Sequence, residues 1–356
     1  MTNKFPFNIP FNRVIIIGLG QLGLPVARYA KQKGFDVYGY DISPRAMERA
    51  EQLAGIKRSA NFKDFDVYVI CVSTHKPEDI FSPQIDGLIS IAKKISYEAR
   101  DGALVSIEST IPKGTSRTIF ELLGHRLHVV HAPHRWYALE EERYGVNQPR
   151  VIGGVCECCL RIGTQFYDGR IMKPSEQITQ TIDENKSLTQ CECTVKNDDK
   201  DKDLDNDQVE ISNITRSNNN SSLEIPMHAV SKIEIAELTK IVENSHRFLQ
   251  ISFAEDLYLY CQKNEISFSE LRDALNTKWN VEILEPRDGI GGHCLPKDTK
   301  MFLQSSKTIK SKIIQAAMEV DEEYKRYRLE RGIKNHSSEE NINDSNIGSI
   351  DLTGGM

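Results

Sequence analysis

The sequence predicts an α/β fold in which a parallel sheet, covered by helices on both faces, precedes an all-α domain with one long helix. Over the first 171 residues, short continuous runs of Val and Ile alternate with helical patterns, which is typical of strands buried on both faces. Residues 230–264 then form a dense apolar pattern of helical character. The 356 residues are enough for two or three domains.

The elements of the sheet domain follow in order from residue 14. VIIIG (14–18) predicts a buried strand, residues 22–33 predict a helix, and DVYGYD (36–41) predicts the second strand. Further strands are predicted at residues 66–72, 103–109, 127–133 and 150–155. Together these elements define a domain over residues 1–171.

Composition sets the remaining boundaries. Residues 172–222 are predicted to be a disordered insertion, because residues 183–208 hold nine acids, four lysines and no aromatic side chain. A helical central domain is predicted over residues 223–333, with helices at 230–264, 269–277, from about 298, and at 311–332. The polar residues 334–356 are predicted to be a disordered tail.

Charge and hydropathy exclude several classes of partner. The formal net charge is −6 and no extended basic stripe is present, which argues against nucleic acid. No run of eighteen apolar residues occurs, and the first twelve residues lack an apolar secretory region, so we expect a cytoplasmic protein without a membrane partner. The eight cysteines are then expected to be mostly reduced thiols.

A glycine-rich turn lies between the first predicted strand and helix. In Gly18-Leu-Gly20-Gln-Leu-Gly23, the first glycine permits a tight turn, the second lets the backbone approach a pyrophosphate, and the third lets helix and strand pack closely. Asp41 ends the second strand, where its carboxylate can accept ribose hydroxyls and repel a 2′-phosphate. The combination predicts a Rossmann-type dinucleotide site that takes NAD rather than NADP.

The loop GGHCLPKD (291–298) is the sharpest chemical motif. Cys294 precedes a predicted helix, whose dipole would stabilise a thiolate nucleophile. A small buried cysteine is the ordinary alternative, and it suits a glycine-rich polar loop poorly. Asp298 fits a plain helix N-cap as well as a functional role.

Lys240 and Asn244 are one helical turn apart, and Glu237 lies on the same face. A solvated stripe is the commoner interpretation of such spacing. The apolar surroundings and the cysteine loop favour a functional one.

Two cysteine clusters and three histidines are weaker signals. Neither CECC (156–159) nor CEC (191–193) has the spacing of a zinc knuckle, so incidental thiols are favoured. His128 and His131 lie on opposite faces of one predicted strand, and with His125 they do not converge. No metal site is predicted.

Six stretches together resemble the UDP-glucose/GDP-mannose dehydrogenase family, the nucleotide-sugar 6-dehydrogenases, and within it enzymes that act on UDP-N-acetylmannosamine. They are GLGQLGLPVA (18–27), ICVST (70–74), IESTIPKGTS (107–116), PRVIGG (149–154), and the pair AELTKIVEN (236–244) with GIGGHCLPKDT (289–299). The resemblance implies oxidation of a primary alcohol to a carboxylate with two NAD, for surface polysaccharide synthesis.

The resemblance also implies residue roles. Cys294 would form a thiohemiacetal and then a thioester, Lys240 and Asn244 would hold the oxyanion, and Asp298 and Thr110 would position or deprotonate water. The implied NAD-binding residues are Gly18, Gly20, Gln21, Leu22, Gly23, Asp41, Val72, Ser73, Thr74 and Thr110.

The sequence departs from the family's pattern in three places. His134 stands where the family has a glutamate that assists thioester hydrolysis, with Glu140 and Glu141 as candidate substitutes. The insertion interrupts the join between the domains. After residue 303 no alternating strands indicate the family's C-terminal UDP-binding domain, so a separate UDP-binding subunit is an expected partner, together with a homodimer built on the 230–264 helix.

Three functions compete. The first is a nucleotide-sugar dehydrogenase making a uronate from UDP-glucose or UDP-N-acetylmannosamine. The second is a two-electron 6-phosphogluconate-type or hydroxyacid dehydrogenase, which needs no cysteine. The third is a non-catalytic NAD-binding subunit. Cys294 favours the first.

Overall fold

The computed structural model describes residues 11–75, 83–136, 140–171, 215–216, 222–292, 294–305 and 311–332. The chain divides into two compact units, and the division falls after Lys240. We call the part up to Lys240 the sheet unit and the part from Ile241 onward the helical unit.

The sheet unit is built on one eight-stranded sheet. The strands of this sheet are β1 (Arg13–Ile17), β2 (Asp36–Tyr40), β3 (Lys57–Arg58), β4 (Val67–Ile70), β5 (Leu104–Ile107), β6 (His128–His131), β7 (Arg150–Gly154) and β10 (Met227–Val230). Their order is β10-β7-β6-β5-β4-β1-β2-β3, with every pair parallel except β6 and β7. A separate antiparallel pair joins β8 (Arg170–Ile171) to β9 (Thr215–Arg216). Its helices are α1 (Gly23–Gln32), α2 (Pro44–Ala54), α3 (Asp86–Glu98), α4 (Thr115–Leu122) and α5 (Glu157–Asp168).

The strands are apolar because the sheet is covered on both faces. Val14 through Ile17 and Val67 through Ile70 have no exposed surface, which accounts for runs without polar alternation. The predicted Rossmann-type fold is thereby confirmed. The order in which successive strands join the sheet reverses between β1 and β4, although the two strands are parallel, and such a switch point opens a crevice at the carboxyl ends of the strands.

The structure differs from the sequence prediction at the end of this unit. β7 is antiparallel to β6, and β10 completes the sheet beside β7, whereas residues from 223 onward were expected in the helical domain. A four-residue apolar run such as MHAV does not distinguish a strand from a helix start by periodicity. Thr215–Arg216, inside the predicted insertion, form a strand; residues 172–214 lie outside the described residues.

The helical unit follows on the long helix α6 (Ile233–Lys263), which crosses the division between the units. The other helices described there are α7 (Phe268–Leu275), α8 (Cys294–Gln304) and α9 (Lys312–Glu330). α8 begins at Cys294 and not near Asp298. Pro296 is compatible with this start because it falls in the first turn of the helix, where a backbone N–H would have no partner within the helix. Asp298 is therefore not an N-cap. The predicted tail at 334–356 lies outside the described residues.

Among the described residues, none of the helices combines the length and apolar character that crossing a lipid bilayer would require.

Candidate active site

The glycine turn after β1 has the geometry that its sequence predicts. Gly18 has a φ of +89°, and a Cβ there would lie 2.6 Å from the carbonyl oxygen of Cys71. A Cβ on Gly23 would lie 1.7 Å from the Gly18 carbonyl oxygen, so only glycine allows this turn. Gly20 is exposed, and a Cβ there would meet nothing within 4 Å, which leaves room for a ligand at the start of α1. The exposed Gln21 and the half-buried Leu22 complete the turn.

Asp41 fastens this turn to the end of β2. One carboxylate oxygen accepts the Leu19 N–H at 2.6 Å, and the other accepts the Ser43 N–H at 2.7 Å. Each oxygen retains a second lone pair that can accept a ribose hydroxyl. The residues present therefore fit a dinucleotide cofactor.

Substitution of Asp41 by Ala is expected to raise the Michaelis constant for NAD by about ten- to a hundredfold and to weaken the preference against NADP. A charged hydrogen bond contributes about 1.5–3 kcal/mol, and the substitution removes the carboxylate that would accept one from a ribose hydroxyl. Initial rates with each cofactor measure the effect. Asp36→Ala, at the start of the same strand, is the matched control. Unchanged cofactor kinetics for Asp41→Ala would reject the role.

Substitution of Gly20 by Ala separates cofactor binding from folding. Because the added methyl meets no protein atom, the thermal midpoint should stay close to that of the wild type. The methyl occupies the approach to the pyrophosphate, so the Kd for NAD should rise at least about tenfold. Calorimetry measures both, with Gly87→Ala as a control glycine that also has open space around its Cβ. Equal NAD affinity in the two variants would contradict this role for Gly20.

The residues that follow β4 and β5 lie together at the carboxyl edge of the sheet. Thr74 is buried and its hydroxyl donates to the Thr110 carbonyl oxygen at 2.7 Å. Ser109 donates to the Val72 carbonyl oxygen at 2.7 Å, and the exposed Ser73 lies 3.0 Å from His75 Nδ1. Gly18 lies on the same edge. The structure thus brings Val72, Ser73, Thr74 and Thr110 to the same edge of the sheet as Gly18.

In the helical unit, the structure brings three predicted residues together. Cys294 is exposed at the first residue of α8, where the positive end of the helix dipole stabilises a thiolate. Asp298 lies one turn further along and is buried. Its Oδ2 accepts the Asn244 amide at 2.5 Å, and Lys297 Nζ lies 3.3 Å from Oδ1.

The loop before Cys294 is anchored by α9. Asp321 accepts the Ile290 N–H at 2.9 Å, and Lys325 donates to both the Asp321 carboxylate and the Ile290 carbonyl oxygen. A cavity of about 380 Å³ adjoins Gly291 and Gly292. Its lining combines charged side chains, among them Asp288 and Lys300, with apolar ones, among them Phe248 and Met318.

Lys240 and Glu237 both belong to the sheet unit and differ in role. Glu237 is fully buried, and its carboxylate accepts the N–H groups of Gly114 and Ser116 at 2.6 and 2.8 Å, so it caps α4 and does not face solvent. Burial raises its pKa. Lys240 is half-buried, and its charge acts on the buried His134.

A buried polar cluster, which the sequence analysis did not single out, surrounds His134. Glu108 Oε2 lies 3.0 Å from both Arg150 Nη1 and His134 Nε2, and Glu108 Oε1 accepts the Tyr167 hydroxyl at 2.5 Å. Burial alone would raise the pKa of Glu108, but Arg150 and His134 outweigh it and lower the pKa to about 2. Burial, with the Arg150 charge, lowers the pKa of His134 to about 4, so this imidazole is neutral near pH 7.

Glu140 and Glu141, the candidate substitutes for the missing glutamate, are exposed. Glu141 lies 3.4 Å from Arg28. Nothing in their surroundings favours a catalytic role over that of ordinary surface acids.

The glycine turn at the switch point of a parallel sheet, with an acid at the end of β2, defines a Rossmann-type dinucleotide-binding protein. The family model of the NAD-binding domain matches residues 47–170, and that of the central domain matches residues 234–323, together more than half of the chain. The chain belongs to the UDP-glucose/GDP-mannose dehydrogenase family, and its cofactor is NAD.

Curated relatives carry one recurrent name. The chain is 25% identical over 346 residues to a UDP-N-acetyl-D-mannosamine dehydrogenase of Campylobacter jejuni, with 88% of this chain and 72% of the relative aligned. It is 26% identical over 325 residues to the enzyme of that name from Pyrococcus horikoshii, with 83% of this chain aligned. That alignment spans 65% of the relative.

Solved structures support the fold. A UDP-D-ManNAc dehydrogenase from Pyrococcus horikoshii matches with a TM-score of 0.64 at 24% identity, covering 89% of this chain and 70% of that one. A 3-hydroxyisobutyrate dehydrogenase from Mycobacterium tuberculosis matches with a TM-score of 0.57 at 13% identity, covering 92% and 97% of the two chains. At these identities the likeness concerns the fold alone.

Proposed function

We propose that this chain catalyses the NAD-dependent oxidation of a nucleotide sugar at C6 to the uronate, with UDP-N-acetylmannosamine the first candidate and UDP-glucose the second. The observation that carries the proposal is the arrangement of Cys294, Asp298 and Asn244. A dehydrogenase that stops at the aldehyde or ketone does not need a thiol at a helix N-terminus beside a buried carboxylate.

The chain's own residues have the following proposed roles. One NAD, when bound, would accept the hydride that leaves C6 in the first oxidation and a second NAD that of the second oxidation, and in each the hydroxyl proton passes to water. After the first, the Cys294 thiolate adds to the aldehyde carbon, and the carbonyl oxygen becomes the thiohemiacetal oxygen. Loss of the second hydride leaves a thioester, and water displaces the thiol to give the carboxylate. Asp298 accepts a proton from that water, and Thr110 helps to position it.

Asn244 and Lys240 would stabilise the oxygen that carries negative charge. The Asn244 amide has two N–H donors, of which Asp298 accepts one. The second remains for the oxyanion, and Lys240 supplies a positive charge one turn earlier on α6.

The test counts NADH formed for each sugar consumed, with purified protein, NAD and a panel of UDP-sugars. Two NADH and a uronate product support the proposal. One NADH supports a two-electron dehydrogenase of the hydroxyacid or 6-phosphogluconate type. Binding of NAD without turnover of any sugar in the panel supports a non-catalytic subunit, and either of these last two results contradicts the proposal.

We further propose a homodimer formed on α6. Val242, Phe253 and Tyr260 are 40%, 59% and 56% exposed. Phe253 and Tyr260 lie 11 and 18 residues after Val242, which is close to whole numbers of helical turns. The three side chains therefore form one apolar stripe. Burial against a second copy of this helix would remove the stripe from water.

Phe253→Asp is therefore expected to convert the dimer to monomer in analytical ultracentrifugation. A charge placed in an apolar contact is costly to bury. Arg247→Ala, at an exposed residue about 140° around the same helix from Val242, is the control and should leave the dimer intact. A monomeric wild type, or a dimeric Phe253→Asp variant, would contradict the proposed dimer.

The cytoplasmic location, the polysaccharide role and the separate UDP-binding subunit expected from the sequence remain predictions.

A further inference from the structure

A cluster of thiols and an imidazole lies in the sheet unit, where the start of α5 packs on β6. The Sγ atoms of Cys158 and Cys159 and a ring nitrogen of His128 all lie within 4.8 Å of one another. Cys156 Sγ lies 2.9 Å from Cys158 Sγ and 3.2 Å from Cys159 Sγ. The sequence spacing of these thiols indicates no metal site, but the fold brings them together at one point.

We propose that Cys156, Cys158, Cys159 and His128 form a structural site for a thiophilic divalent cation, zinc first. Three thiolates and one imidazole are an established ligand set for structural zinc. In a tetrahedron with Zn–S bonds of about 2.3 Å, neighbouring sulfur atoms are about 3.8 Å apart. The two measured sulfur separations, 2.9 and 3.2 Å, are within 1 Å of that value, so we expect side-chain rotations to suffice to close the site.

His128 supplies an independent argument. Its ring is buried, with 7% of its surface exposed, and its Nδ1 has no hydrogen-bond partner among the described residues. A buried polar nitrogen without a partner is costly, and coordination would satisfy it. A thiol pair acting in redox chemistry would not require this imidazole.

Charge at the site also favours bound thiolates. Cys156 is the N-cap of α5, and its sulfur accepts the Cys159 N–H at 3.4 Å. Cys159 Sγ accepts the Val129 N–H at 3.4 Å, and the guanidinium of Arg161 interacts with the charges of Cys156 and Cys158. Binding of M²⁺ releases three thiol protons and leaves a site of net charge −1, which the arginine offsets.

The alternative, a redox disulfide of the Cys-x-x-Cys type between Cys156 and Cys159, fits less well. A reactive pair needs an accessible sulfur that an incoming thiol can attack. Cys159 is fully buried, and a third thiol stands beside the pair. Four protein ligands leave no open position, so the site would fasten α5 to β6 and take no part in chemistry.

The test is elemental analysis of the full chain, purified under reducing conditions after expression with zinc. We expect one zinc per chain in the wild type and in Cys261→Ala, a buried cysteine of the helical unit. Cys158→Ala and Cys159→Ala should each lose most of it. Cys158 is half-buried, so its variant is expected to fold even if the Cys159 variant does not.

A second measurement needs no variant. Chelator-treated wild type should rebind Co²⁺ with a thiolate-to-cobalt absorption band, and its thermal midpoint should fall on chelation. Zinc-free wild type without that band, zinc retained in both cysteine variants, or a disulfide mapped within residues 156–159 of metal-free protein would each overturn the proposal. The proposed dehydrogenase activity plays no part in these readouts.

Discussion

Cys294→Ala is expected to abolish uronate formation while NAD binding survives. In the proposed mechanism the second oxidation passes through a covalent thiohemiacetal, and alanine has no sulfur to form it. We expect the rate of uronate formation to fall at least about a thousandfold, or about 4 kcal/mol of activation free energy. The glycine turn proposed to hold NAD belongs to the sheet unit, so the Kd for NAD should be unchanged.

The product distribution sharpens this test. Because the first hydride transfer precedes attack by the thiol in the proposed mechanism, Cys294→Ala should form at most one NADH per sugar. Cys294→Ser retains a hydroxyl, a far weaker nucleophile, and should behave similarly. Cys261→Ala is the matched control and should retain activity. Uronate formation by either Cys294 variant at near the wild-type rate would refute the assignment.

The strands and the glycine turn could be predicted from the sequence because their signals are local. A strand buried on both faces has a continuous apolar run in its sequence, and the turn requires glycines at fixed positions relative to one another. Gly18 and Gly23 meet these demands through contacts with residues close in the fold, as the distances to Cys71 and Gly18 show. The pairing of Asn244 with Asp298 was open to prediction only through the family resemblance.

The features that escaped prediction depend on tertiary contacts. Glu108 and Arg150 are 42 residues apart in sequence, and nothing in either segment marks them as a pair. His128 meets the thiols of α5 only because that helix packs on β6. Residues 227–230 form strand β10 because they can pair with the edge of β7. Their four-residue sequence does not by itself specify a strand.

The buried Glu108–Arg150 pair is expected to dominate the stability of the sheet unit. Both side chains have 1% or less of their surface exposed, so removing one charge leaves the other without compensation. Arg150→Met should lower the free energy of unfolding by about 3–5 kcal/mol, measured by urea denaturation at pH 7.5. Arg58→Met removes an exposed arginine paired with Glu51 and should cost about 1 kcal/mol or less.

A double variant separates the pair from its parts. Glu108→Gln/Arg150→Met carries neither buried charge, so it should be more stable than either single variant. Additive losses in the double variant would show that the two charges do not compensate each other.

Acid should reveal the same pair through its pKa. The pKa of Glu108 is about 2 in the folded state against an ordinary value of 4.5, so the folded state favours the carboxylate. The resulting stabilisation, about 3 kcal/mol, is fully present above pH 4.5 and is lost as pH falls toward 2. Glu108→Gln has no such proton to bind, so its stability deficit relative to wild type should be largest at pH 5–7 and should shrink progressively below pH 4.5. A deficit that stays constant down to the lowest pH at which both proteins fold would show that the lost stability comes from packing and not from the carboxylate charge.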